Sequence, residues 1–174
     1  GARFQASKPV FLVQAGIHSG EIDGKDAMLM LIRDMLFKGK DELLDKVNVV
    51  FIPALNADGH ERSTAFSRPN QRGPKEMGWR NTAQNLNLNR DFMKADTPEM
   101  HAILSVVKGW DKVVVLDLHA TDGAKFEHDV AVIVAPVAPR RDELDETAAK
   151  LSQTIQDQLT RRGHLPLPFY PSFV

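Results

Sequence analysis

Apolar and polar positions fall into blocks of two kinds along this chain. Residues 10–15 form an apolar run broken only by Gln14, and 47–52, 113–118 and 130–135 are similar short runs rich in Val and Ile. Runs of this length read as strands, and the first, having no period-two alternation, suits a central strand covered on both faces. Between them lie stretches of helical spacing. Over 23–37 the apolar residues Ala27, Met28, Leu31, Ile32, Met35 and Leu36 recur on one face, with Gly39 as the stop. Thr97-Pro98-Glu99 opens a second helix that runs to about Lys108 and stops at Gly109. Over 141–162, Leu144, Ala148, Leu151, Ile155 and Leu159 mark a third, ended by Gly163.

The stretch 54–84 has neither period. Asn56-Ala57-Asp58-Gly59 and Arg68-Pro69-Asn70-Gln71-Arg72-Gly73-Pro74 are turn residues, so no helix or strand is expected there. A loop this long inside a compact domain is expected to carry function. Residues 85–92 read Asn-Leu-Asn-Leu-Asn-Arg-Asp-Phe, and the alternation around Leu86 and Leu88 predicts a short extended segment with Asn87 and Asn89 on one side. The proline- and aromatic-rich tail, 165–174, reads as a segment that packs on something outside this chain. The order strand, helix, strand, loop, helix, strand, strand, helix predicts an α/β fold with a mixed, mainly parallel central sheet flanked by helices. No internal repeat or domain boundary breaks residues 1–174.

Composition narrows the function classes. With 174 residues, 43% hydrophobic and 26% charged, the chain has enough material for one domain with a core. A formal net charge of -1 gives no electrostatic case for nucleic acid or for an anionic membrane surface. No segment approaches the roughly 18 apolar residues of a membrane span. There is no cysteine, which leaves His, Asp and Glu as the strong metal ligands and leaves the compartment open. The first residue is Gly1 rather than Met, which reads as a processed or recombinant start.

The candidate chemistry sits at strand ends. Gly16-Ile17-His18-Ser19-Gly20-Glu21 follows the first strand and precedes the first helix. His18 and Glu21 are three residues apart, close enough to point at one place in a tight turn. Taken alone, His-x-x-Glu is weak, and its ordinary reading is a surface histidine with a first-turn glutamate on a helix dipole. His119 changes that weighting, because it ends another strand, 113–118, and open α/β sheets bind ligands beyond the carboxyl ends of their strands. Two imidazoles and a carboxylate form the His2Glu set of catalytic zinc.

Taken together, these residues resemble the zinc carboxypeptidases, family M14 of the metallopeptidases, in their carboxypeptidase A-like form. Gly16 to Glu21 resembles the segment with the first two zinc ligands, His18 and Glu21. Pro53 to Gly59 resembles the family's Asn-Pro-Asp-Gly turn, with Ala57 at the proline position. Trp79-Arg80-Asn81-Thr82 resembles the segment whose arginine polarises the scissile carbonyl, here Arg80. Asn89-Arg90 resembles the pair that holds the substrate's terminal carboxylate, and Asp117-Leu118-His119 resembles the strand ending in the third ligand. The resemblance implies one Zn2+ on His18, Glu21 and His119, with a water in the open fourth position. It implies a peptide, or a small carboxylate-bearing molecule, as substrate.

Three departures from the family pattern stand out. Gly20 replaces an arginine, which removes one substrate contact. Asn87 stands where many members have an aspartate bonded to a ligand histidine. The family's general-base glutamate and substrate-capping tyrosine lie downstream of the third ligand and have no counterpart here, so 1–174 is expected to be one incomplete catalytic domain. No Glu or Asp matches the base by motif, and Asp117 reads as a partner for a ligand rather than the base. His60, His101, His128 and His164 carry no assigned role. Two other readings stay open: an amidohydrolase of N-acyl amino acids, of the aspartoacylase or succinylglutamate desuccinylase kind, and a non-catalytic module that binds carboxylates.

Overall fold

The computed structural model describes residues 7–110, 112–121, 123–134 and 142–168. These fall into two compact units, 1–124 and 125–174.

The first unit is built on a three-stranded parallel sheet. β1 (Val10–Ala15) lies between β2 (Asn48–Ile52) and β3 (Lys112–Leu118), in the order β2-β1-β3. The register runs from Val10 opposite Asn48 to Gln14 opposite Ile52 on one side, and from Phe11 opposite Val114 to Ala15 opposite Leu118 on the other. Every β1 residue except Phe11 is buried, Gln14 included, as the lack of period-two alternation predicts. α1 (Asp23–Phe37) connects β1 to β2 and buries Met28 and Met35 from its apolar face. α3 (Pro98–Gly109) precedes β3 and buries Met100 and Ile103.

This topology decides where a ligand can bind. The chain moves from β1 to one neighbour and later returns to β1's other side. Strand order therefore reverses at β1, and the loops leaving β1 and β3 diverge over a shared crevice. Beneath it lies a core of Ile17, Leu55, Leu88, Met100 and Ile103, flanked by Ile52, Leu104 and Val107.

Three expectations need correction. Residues 54–84 contain a one-turn helix, α2 (Ala57–Glu61), because the Asn56 side chain accepts a hydrogen bond from Gly59 N and caps it. Residues 88–90 are not extended. They form a 3-10 turn, capped by the Asn87 carboxamide accepting from Asn89 N, which drives Leu88 into the core. The strand expected over 130–135 is short: β4 covers Val130–Ala131, 132–134 are irregular, and 135 lies outside the described residues.

In the second unit β4 pairs in parallel with β5 (Pro166–Leu167), and α4 (Asp142–Arg161) connects them. α4 ends as its sequence predicts: Gly163 N donates to Thr160 O and His164 N to Leu159 O. The expectation for the tail falls largely on 169–174, outside the described residues.

The start of α3 is fixed by a buried polar cluster. Thr97 Oγ1 accepts from Met100 N at 3.2 Å and donates to Asp91 Oδ2 at 2.7 Å. Asp91 also accepts from the backbone N–H groups of Asp96 and Thr97. These bonds, led by the one from Asp96 N–H, hold the Asp91 carboxyl below its ordinary range. Its contribution to stability is therefore fully present above the unfolded carboxylate value and is lost as pH falls below that value and through the lowered folded one. Thr97→Ala is expected to lower unfolding free energy by about 1–2 kcal/mol at pH 7. The loss should shrink below about pH 4, measured by denaturant midpoints across pH.

Candidate metal centre

The centre is assembled from the ends of β1 and β3 and from the long loop. Beyond Ala15 the chain turns sharply at Gly16, where φ is +68° and a Cβ would lie 2.9 Å from His60 Cε1. Leu55 N donates to Ala15 O and Asn56 N to Gly16 O, which fastens the loop after β2 to the loop after β1. Glu21 N then donates to His18 O at 3.0 Å, a turn that brings both side chains to one side. His18 Nδ1 lies 2.8 Å from Glu21 Oε1.

β3 delivers the third group at the same level, because Leu118 pairs with Ala15. His119 Nδ1 lies 3.2 Å from Glu21 Oε2, and Ala120 N donates to that oxygen at 2.9 Å. The two imidazoles meet edge to face, with centroids 5.3 Å apart. One donor atom from each of His18, Glu21 and His119 falls within 4.8 Å of the others. Each far ring nitrogen has its own acceptor. His18 Nε2 is 3.4 Å from Asn87 Oδ1, and His119 Nε2 is 3.0 Å from Asp117 Oδ2. Such outer partners fix the tautomer and orientation of metal-ligating histidines.

The electrostatics follow from burial and pairing. Burial pushes the Glu21 carboxyl up, but hydrogen bonds from His119, His18 and Ala120 N–H outweigh it and leave it well below the usual range. Burial pushes His119 down, yet the carboxylates of Asp117 and Glu21 raise it to about 9.

Residues 62–84 wrap over this cluster. Trp79 N donates to Gly59 O at 2.8 Å and Asn56 Nδ2 to Arg80 O at 3.2 Å. The approach is close enough that a Cβ on Gly78 would lie 2.5 Å from Ser19 Cβ and 2.9 Å from Gly59 O. Arg62 covers the Trp79 ring at 5.4 Å. Arg80 is thereby delivered with Nη1 4.0 Å from Glu21 Oε1. It lines a cleft of about 380 Å³ with Ser67, Arg68, Asn70, Trp79 and Asn81.

Asn89 and Arg90 sit on the 3-10 turn whose cap, Asn87, faces His18. Arg90 is exposed and donates to Asn89 O at 2.8 Å. Among the described bonds, none joins Asn89's side chain or Arg90 to the histidine–glutamate cluster.

Among the side chains bonded to Glu21, one escaped the sequence reading. Arg68 is 6% exposed, and its Nη2 donates to Glu21 Oε1 at 3.1 Å and to Gln71 Oε1 at 2.8 Å. Its aliphatic stem occupies the space beside Gly20, where a Cβ would lie 2.9 Å from Arg68 Cγ. Nothing local marks it, because its partner is 47 positions earlier in the chain. Only the missing side chain at Gly20 hints that another group fills that space.

A family model described as zinc carboxypeptidase matches residues 3–164. The chain belongs to the zinc carboxypeptidase family. Curated relatives are carboxypeptidase D of Anas platyrhynchos, 28% identical over 66% of this chain and 9% of that protein, and carboxypeptidase Z of Gallus gallus, 32% identical over 49% and 14%. Similar folds are a metallo-carboxypeptidase from Burkholderia cenocepacia (TM-score 0.71, 19% identity, 96% of this chain and 42% of that one) and one from Pseudomonas aeruginosa (TM-score 0.68, 22% identity, 99% and 42%). The latter was solved in complex with (2-guanidinoethylmercapto)succinic acid. The chain thus spans about two-fifths of the length of these structural neighbours.

Zinc suits the residues present. Two imidazoles and one carboxylate are the donors of a catalytic zinc site, and their outer ring nitrogens are already oriented. Zinc binding is expected at about one ion per chain, and His119→Ala is expected to abolish it, as elemental analysis after dialysis will show. A cation must displace the proton that Asp117 and Glu21 hold on His119. Apparent zinc affinity should therefore rise with pH up to about 9 and then level off, with proton release measurable by calorimetry in buffers of different ionisation enthalpy.

Proposed function

We propose that the protein is a zinc-dependent carboxypeptidase that hydrolyses the C-terminal peptide bond of its substrates. The convergence of His18, Glu21 and His119 beyond the carboxyl ends of β1 and β3, with Arg80 beside Glu21, carries this reading. Zinc, when bound, supplies Lewis-acid polarisation and lowers the pKa of a coordinated water to about 7.

The chain's own groups take the following parts. Glu21 is the anionic ligand and His18 and His119 the neutral ones, with Asn87 and Asp117 orienting the two rings. Arg80 faces the scissile carbonyl and stabilises the charge that develops on its oxygen in the tetrahedral intermediate. Asn89 and Arg90 hold the substrate's terminal carboxylate, for which a guanidinium offers two parallel donors. Arg90's exposure leaves that guanidinium at the surface, where a chain end can reach it. Asp117 is committed to His119 Nε2 and is a positioning group, not the general base. None of these 174 residues is assigned the general base, and the domain is taken to be a partial one.

Residues 1–174 alone are expected to be inactive, so the assay is release of C-terminal residues from a peptide mixture by the full-length, zinc-loaded protein, run beside N-acyl amino acids. Peptide turnover alone supports the peptidase, and turnover of N-acyl amino acids alone replaces it with the amidohydrolase reading. Arg80→Ala is expected to lower kcat by about 10²–10³-fold with a smaller effect on KM. Arg90→Ala is expected to raise KM by roughly 10–100-fold, and amidating the substrate's C-terminus should remove that difference.

A further inference from the structure

The loop bearing His119 is tied to the first two ligands by a route that the metal centre itself does not require. Glu21 Oε1 accepts from Arg68 Nη2, and the same Nη2 donates to Gln71 Oε1 at 2.8 Å. The other end of the Gln71 carboxamide, Nε2, donates to Thr121 O at 2.6 Å. Thr121 follows Ala120, whose N–H donates back to Glu21 Oε2. The four bonds close a circuit: Glu21, Arg68, Gln71, Thr121, Ala120 and Glu21 again. A backbone bond from Gln71 N to Arg68 O at 3.0 Å makes 68–71 a rigid turn. The two loops also touch directly, since a Cβ on Gly123 would fall onto Asn70 O.

We infer that Arg68 and Gln71 are positioning residues, forming a strap that holds the His119 loop against Glu21 and so sets the spacing of the third metal ligand. This rests on the metal-centre reading for its consequence but not for its geometry. The chemistry suits the part. A carboxamide presents an acceptor and a donor at opposite sides of one plane, so one side chain can link a guanidinium to a carbonyl. A guanidinium offers charged donors to the carboxylate, which makes the Glu21 end the strong one. Gln71 is half-buried in a loop, and both ends of its carboxamide are hydrogen-bonded. β3 supplies His119 at the right level, but beyond Leu118 the strand pairing ends, and the strap is what continues the fixation.

The test is amide hydrogen exchange on the chelator-treated protein, read at Ala120, in wild type, Gln71→Leu and Gln71→Glu. Gln71→Glu keeps an acceptor for Arg68 and replaces only the donor toward Thr121 O. It therefore decides the matter even where Gln71→Leu loosens the whole unit. The strap predicts exchange at Ala120 at least about tenfold faster in Gln71→Glu, with β1 amides unchanged. Wild-type exchange at Ala120 in that variant overturns the inference. Cobalt titration then reads the consequence. Gln71→Glu should weaken cobalt binding by about 10–100-fold and change its visible absorption bands, which a merely stabilising residue would not do. A wild-type protein that binds no cobalt counts against the metal centre, whereas the exchange result stands on the metal-free protein and judges the strap separately.

Discussion

The structure of the first unit turns on one buried carboxylate. Glu21 is 4% exposed, and taking an ionised carboxylate out of water costs roughly several kcal/mol unless its oxygens are satisfied. Here both are. His18 and Arg68 approach Oε1, and His119 and Ala120 N–H approach Oε2. Those groups come from three separate parts of the chain: the loop after β1, the loop after β3 and the long connection between β2 and α3. Satisfying one charge therefore requires three loops to converge, and that convergence forms the candidate metal centre.

The long connection shows how an irregular segment is held without regular structure. Its backbone is fastened by a single antiparallel bridge between Thr64 and Met77, by Trp79 N on Gly59 O, and by Asn56 reaching Arg80 O. Close approach of backbones at Gly59 and Gly78 removes the room a side chain would need. The loop thus forms a wall of the cleft that includes Trp79 and Arg80, with Arg80 directed toward Glu21. The hydrophobic core lies below, under Ile17 and Leu88, and gives the loops a rigid floor. Polar contacts place the chemical groups, and apolar burial keeps the platform from moving.

Substitutions relative to the family's pattern fall into place on this platform. Gly20 lacks a side chain, and Arg68 from another loop lies beside it and reaches Glu21. Asn87 serves two neighbours with one oxygen, capping the turn that carries Asn89 and Arg90 while facing His18 Nε2. A neutral carboxamide suffices for both, since each partner needs only an acceptor.

The sequence by itself determined the parallel core strands and the long helices, and it singled out the three side chains that the fold brings together as candidate ligands. Their signals are local: mainly apolar runs, interrupted by Gln14 in β1 and Asp117 in β3, helical spacing for α1 and α4, and His-x-x-Glu and Asp-Leu-His at the strand ends. It misread 57–61 and 88–90, where a single Asn cap outweighed turn-like or alternating composition. It was silent on Arg68 and Gln71. What only the tertiary structure decided is which distant groups meet at Glu21. Those contacts join residues about 50 to 100 positions apart, and their free energy comes from burying and satisfying a charge, which no local pattern encodes.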